Sequence, residues 1–162
     1  MPSRRLQVTR HFDAPIEHVW RAWTQSDLLE QWWAPKPWET KTKVFNFEEG
    51  GSWLYQIINP KEPGIWALIE FTSIKKCKSF DSISFFCDES GKKNLELPVM
   101  YHKNNFKDEG LATTVEIEIT FNRESELKTI IEMGFETGFT SALKNLEELL
   151  EIMVTNHETK IK

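Results

Sequence analysis

The sequence predicts an α+β domain in which a curved sheet of seven antiparallel strands wraps around one long C-terminal helix, with two short helices after the first strand. Three observations predict it. Residues 39–121 alternate apolar and polar side chains in short runs, punctuated by glycine, proline and charged turns. From Ser125 onward the apolar period lengthens to that of a helix and holds as far as Met153. Between residues 13 and 35 the helical spacing falls into two pieces, each with its own start and stop signals.

Gln7 to Phe12 reads as the first strand. Asp13 is a candidate N-cap for the helix that follows, and Pro15 suits its first turn because its φ is already helical. Val19, Trp20 and Trp23 share one face of that helix. Ser26 is a second candidate N-cap, leading to Leu28, Leu29 and Trp32, and Ala34-Pro35-Lys36-Pro37 must stop this second helix. Six strands follow, over Glu39–Phe47, Ser52–Ile58, Ile65–Lys75, Ser79–Cys87, Pro98–Phe106 and Leu111–Phe121. The last is the clearest, with Thr113, Val115, Ile117 and Ile119 on one face and Glu116 and Glu118 on the other. Short turns between consecutive strands make neighbours antiparallel. The final helix carries Leu127, Ile131, Leu146, Leu150 and Met153 on one stripe, interrupted by Gly134, Gly138 and Ala142 at intervals of one turn. Each glycine costs about 1 kcal/mol of helix propensity relative to alanine. Either close backbone packing on the sheet or a hollow kept open beneath the helix accounts for them.

Composition narrows the function classes. A chain of 162 residues, 40% of them hydrophobic, suffices for one core without disulfides or a structural metal. Residues 1–154 are expected to form a single domain, with 155–162 a frayed tail of mixed charge. A net charge of −5, with eleven acidic and four basic side chains in residues 107–151, excludes a nonspecific nucleic-acid or anionic-membrane binder. Cys77 and Cys87 lack the spacing of a zinc or redox motif, and His11, His18 and His157 have no partner at ligand spacing, so no metal and no cofactor is expected. With no apolar leader and no run long enough to span a bilayer, the reading is cytoplasmic, with no membrane. The unusual feature is tryptophan. All seven, at 20, 23, 32, 33, 38, 53 and 66, fall in the first half of the chain, as in a thick aromatic core or the wall of an apolar cavity.

At the level of motifs the sequence resembles the START-like, or SRPBCC, superfamily with its helix-grip fold, and within it bacterial proteins similar to the heat-shock protein 90 ATPase activator homologue domain. The resemblance rests on Arg10-His11-Phe12-Asp13-Ala14-Pro15, Val19-Trp20-Arg21-Ala22-Trp23-Thr24, Trp32-Trp33-Ala34-Pro35 and Gly50-Gly51. It continues through Pro98-Val99-Met100 and Glu132-Met133-Gly134-Phe135-Glu136-Thr137-Gly138-Phe139, so it spans nearly the whole chain. It implies binding of a small hydrophobic molecule beneath the long helix. It also leaves open a chaperone as partner, with a stress-response role, or a cyclase or hydrolase activity.

Within that frame the candidate ligand-binding residues are Trp32, Trp38, Trp53, Tyr55, Trp66, His102, Gly134, Phe135 and Gly138, with His102 or Tyr55 as the polar contact that orients a ligand. Of the adjacent Trp32 and Trp33 only one can face the cavity, and the sequence leaves open which. Were the chain an enzyme, His102 or Glu70 would be its base. Glu70 is buried if Trp66 and Leu68 face inward, and exposed if Ile69 and Phe71 do. No residue is assigned a catalytic role, and an exposed aromatic would serve a chaperone or a homodimer.

Overall fold

The computed structural model of the chain describes residues 4–161, and its elements follow the expected order with one addition. They are β1 (Arg5–Phe12), α1 (Ile16–Thr24), α2 (Ser26–Leu29), β2 (Glu39–Phe45), β3 (Ser52–Asn59), β4 (Glu62–Lys75), β5 (Ser79–Cys87), β6 (Met100–Asp108), β7 (Thr113–Thr120), α3 (Glu124–Glu132) and α4 (Phe135–Ile161). The strands form one antiparallel sheet in the order β1-β7-β6-β5-β4-β3-β2. Register shifts after Thr42, Ile57 and Phe71 bend β2, β3 and β4, and such bulges add the curvature that lets the sheet close round a helix. Because β1 pairs with β7 while β2 lies on the opposite edge, α1 and α2 cross the sheet from one edge to the other.

Period-two alternation decides the inner face. Val115, Ile117 and Ile119 of β7, Met100, His102, Asn104 and Phe106 of β6, Phe80, Ser82 and Ser84 of β5, and Ala67, Ile69 and Phe71 of β4 are all buried. Glu116 and Glu118 point outward, where Lys107 and Arg5 sit 2.7 and 3.6 Å from them. Trp20 of α1 meets Phe106, Phe80 and Phe47 edge-on, with ring centroids 5.0, 5.9 and 6.0 Å apart, the arrangement favoured by the ring quadrupole. Leu143, Leu146 and Leu150 of α4 complete this core.

Two local expectations are corrected. The caps lie one or two residues from where the sequence placed them. Pro15 is the N-cap of α1, its carbonyl accepting the N–H groups of His18 and Val19, while Asp13 stays exposed. Gln25 caps α2 in the same backbone-only way, so Ser26 is the first helical residue. The long C-terminal helix is present as α4, but it starts at Phe135, and the expected stretch before it is a separate helix, α3. Gly134 adopts φ +85°, its N–H closes on the carbonyl of Ile131, and its own carbonyl accepts the N–H of Gly138. It therefore ends α3 and begins α4, the left-handed position for which glycine has no Cβ penalty.

The segment after β5 is more tightly held than a solvated loop. The Asp88 carboxylate accepts hydrogen bonds from the Ser90 hydroxyl at 2.7 Å and from the N–H groups of Ser90 and Lys92, each at 2.9 Å. Those bonds hold its carboxyl below the usual carboxylate range. Lys93 then reaches Glu70 at 3.0 Å and lies 4.2 Å over the Phe85 ring.

A cavity beneath the C-terminal helix

The first two turns of α4 stand off the sheet. Phe135, Gly138 and Phe139 face β3 to β6 across a cavity of about 200 Å³. Its floor is built from Tyr55 and Ile57 of β3, Ala67 of β4, Ser84 and Phe86 of β5, and Met100 and His102 of β6. Trp33 and Pro35, in the turn after α2, close one side. The volume has a sequence origin. Ala67 and Ser84 are small residues at inner strand positions that elsewhere carry Phe or Ile, and Gly138 contributes no side chain from above. A Cβ at Gly138 would stand 3.7 Å from Pro35 Cγ, in ordinary contact.

No Asp, Glu, Lys or Arg side chain lines this cavity among the described residues. Its two titratable groups are both held neutral near pH 7. Burial pushes the Tyr55 phenol up to about 12, although the Trp33 indole Nε1 donates to its oxygen at 3.0 Å. Burial likewise pushes His102 down to about 4. An imidazole that far below neutral is a weak proton acceptor, and no carboxylate among the lining residues is there to raise it. The thiols of Cys77 and Cys87 are both pushed up by burial, the reverse of what activates a nucleophile. Among the described residues, no group of three or more His, Cys, Asp or Glu side chains could hold a metal ion.

Of the residues singled out from sequence, Tyr55, His102, Phe135 and Gly138 line the cavity. Trp53 lies just inside it, stacked on Tyr55 with ring centroids 4.1 Å apart and lining an adjoining recess with His102. The other four are elsewhere. Trp32 is fully buried, donates its indole N–H to the Ala22 carbonyl at 2.9 Å, and packs edge-on against Trp23 at 4.8 Å. The adjacent Trp33, in the turn after α2, takes the cavity wall. Trp38 follows the cis Lys36-Pro37 peptide, its N–H bonded to the Pro35 carbonyl, and does not reach the cavity. Trp66 belongs to the outer face of β4, 5.8 Å below the Lys43 ammonium, because Ala67 and Ile69 take the inner phase. Glu70 shares that outer face and pairs with Lys93. Gly134 is at the α3–α4 corner, with nothing within 4 Å of where a Cβ would be.

Trp33, left open against Trp32 by the sequence, is the one that lines the cavity, and Ala67, Ser84, Met100 and Phe139 are among the lining residues that were not singled out. Two of these unmarked residues carried a usable signal. Phe139 is one helical turn from Phe135, and Met100 shares the strand face of His102.

The family described as Activator of Hsp90 ATPase homolog 1-like protein matches residues 13–151. Among solved structures, a protein from Staphylococcus epidermidis is 32% identical, with TM-score 0.83 over 94% of this chain and 93% of its own. One from Arthrobacter aurescens is 26% identical, with TM-score 0.86 over 92% and 87%. Protein Ms6760 from Mycobacterium smegmatis, at 24% identity and TM-score 0.84 over 91% of each chain, shares the fold. No curated protein matches the chain. No helix among the described residues is long and apolar enough to cross a membrane. Sheet order, grip of the sheet on the terminal helix and a family match over most of its length agree: the chain belongs to the Activator of Hsp90 ATPase homolog 1-like family.

Proposed function

We propose that the chain binds a small apolar or aromatic molecule in the cavity under α4, without a catalytic step. The observation that carries this reading is an apolar cavity of about 200 Å³ with uncharged walls and two neutral polar side chains, Tyr55 and His102. An apolar cavity of roughly 150 Å³ already admits a benzene ring, so this one suits a ligand of one or two rings. Apolar burial would drive binding, and the polar pair would orient the ligand. The free thiols of Cys77 and Cys87 suit the reducing, cytoplasmic setting that goes with this reading.

The test uses N-phenyl-1-naphthylamine, an uncharged dye whose emission rises in apolar surroundings. The unaltered chain is expected to enhance it saturably at about one dye per chain. Gly138→Leu places a side chain in the cavity and is expected to abolish the enhancement while leaving the far-ultraviolet circular dichroism unchanged. Equal enhancement in a folded Gly138→Leu variant would reject the cavity as the binding site.

A chaperone-associated role is the second reading, favoured by the description of the family itself. The tryptophan contact expected for it does not stand on the surface, since Trp32 is buried and Trp33 lines the cavity. Co-purification of a chaperone from host lysate, with the dye site empty, would favour it over ligand binding.

A further inference from the structure

At its inner end the cavity adjoins a recess of about 20 Å³, the two sharing Trp33, His102 and Phe139 as walls. Four polar side chains line this recess in otherwise aromatic and aliphatic surroundings: Ser82 from β5, His102 and Asn104 from β6, and Trp23 from α1. Ser82 and His102 are direct cross-strand partners, and Asn104 is the next residue along the same face. Three of their atoms, His102 Nε2, Asn104 Oδ1 and Trp23 Nε1, are buried without a hydrogen-bond partner. Asn104 spends its amide nitrogen on the Phe80 carbonyl at 3.4 Å, which leaves its oxygen as an open acceptor. Buried polar atoms are almost always satisfied, so three orphans round one recess mark a place built for a missing partner.

Their chemistry specifies that partner. The Trp23 indole is only a donor, the Asn104 oxygen is only an acceptor, and a neutral imidazole takes either role by tautomer. A hydroxyl offers one donor and two acceptor lone pairs in a single heavy atom, and a space of this size holds about one such atom. A carboxylate could donate nothing to Asn104 and would bury a charge with no counter-ion. An ammonium could accept nothing from Trp23. We infer that the cavity selects an uncharged apolar molecule bearing a hydroxyl group, seated with the hydroxyl inward among Trp23, Ser82, His102 and Asn104. This inference rests on the ligand-binding reading and names the class of ligand it takes.

The experiment titrates 2-naphthol, naphthalene and 2-naphthoate into the full chain at pH 7.5, by isothermal calorimetry or by proton shift changes. The three probes share one ring system and differ in the polar group. Naphthol is expected to bind roughly ten-fold or more tightly than naphthalene, and naphthoate to show no binding in the same range. In Asn104→Leu the preference for naphthol should fall to within about three-fold of parity. Naphthalene matching or exceeding naphthol in the unaltered chain would overturn the inference, as would naphthoate binding as well as naphthol. The recess would then be the seat of a structural water. That comparison requires no variant, so it holds even if Asn104→Leu fails to fold. Binding of none of the three would remove the ligand-binding reading itself, an outcome distinct from loss of hydroxyl preference.

Discussion

Acidification should weaken this fold through His102, by an amount the structure sets. In the unfolded chain an imidazole titrates near 6.5, whereas burial in the cavity wall lowers His102 to about 4. Above pH 6.5 it is neutral in both states and contributes no difference. Between 6.5 and 4 the unfolded chain takes up a proton that the folded chain refuses, so stability falls as pH falls, and the loss is complete below the folded value. At pH 5 the loss is about 2 kcal/mol, rising to about 3 kcal/mol below pH 4. No acidic or basic side chain among the described residues faces His102 from the cavity or recess walls, and the one other titratable group there, Tyr55, stays protonated throughout. Urea unfolding at pH 7.5 and pH 5.0, for the unaltered chain and for His102→Gln, separates this contribution from the other histidines and the carboxylates. The unaltered chain should lose about 2 kcal/mol more than the variant over that interval. An equal loss in both would refute the argument, because His102 would then titrate normally and could not be buried as described.

Four further perturbations probe the frame of the site. Gly138→Ala should raise stability by about 0.5–1 kcal/mol in urea unfolding, because its Cβ meets only Pro35 and alanine favours the helix. Gly134→Ala should lower it by about 1 kcal/mol despite the open space around it, because φ +85° disfavours any Cβ. Trp33→Phe should cost about 1–2 kcal/mol, since it strips the Tyr55 oxygen of its indole donor and leaves that hydroxyl buried. Lys93→Ala should change stability by less than about 1 kcal/mol, as its pair with Glu70 is part-exposed, and a larger loss would show that the loop depends on it.

The sheet was legible because strand phase is a local property. Once Val115, Ile117 and Ile119 claim one face, their neighbours must take the other, and each partner strand follows through a short turn. The helix break was not legible. Gly134, Gly138 and Ala142 fall in step with the helical period, and periodicity carries no information about the sign of φ. Among the tryptophans, the alternatives at Trp32 and Trp33 turned on where α2 ends. Its last regular residue is Leu29, after which turns rather than a full helix orient both rings. Trp66 lost its expected place to Ala67 for the opposite reason, since a cavity wall is recognised by the bulk it lacks. Sequence reading weighted the large ring, whereas the space exists because the inner position is small. The recess was missed because Ser82 and Asn104 look like interruptions in a strand pattern until two strands bring them together.

The pairing of β1 with β7 also sets a schedule. Arg5 is opposite Thr120, so during synthesis β1 has no partner until β7, with the whole of the intervening sheet, has been made. The roof of the cavity comes later still, with Phe135, Gly138 and Phe139. Until then the nascent chain presents its aromatic inner face uncovered, and pairing between such distant segments is intrinsically slow. A ligand seated under α4 can stabilise only the finished chain and none of its precursors, so its presence would favour completion of the fold at the last step and leave the earlier ones unassisted.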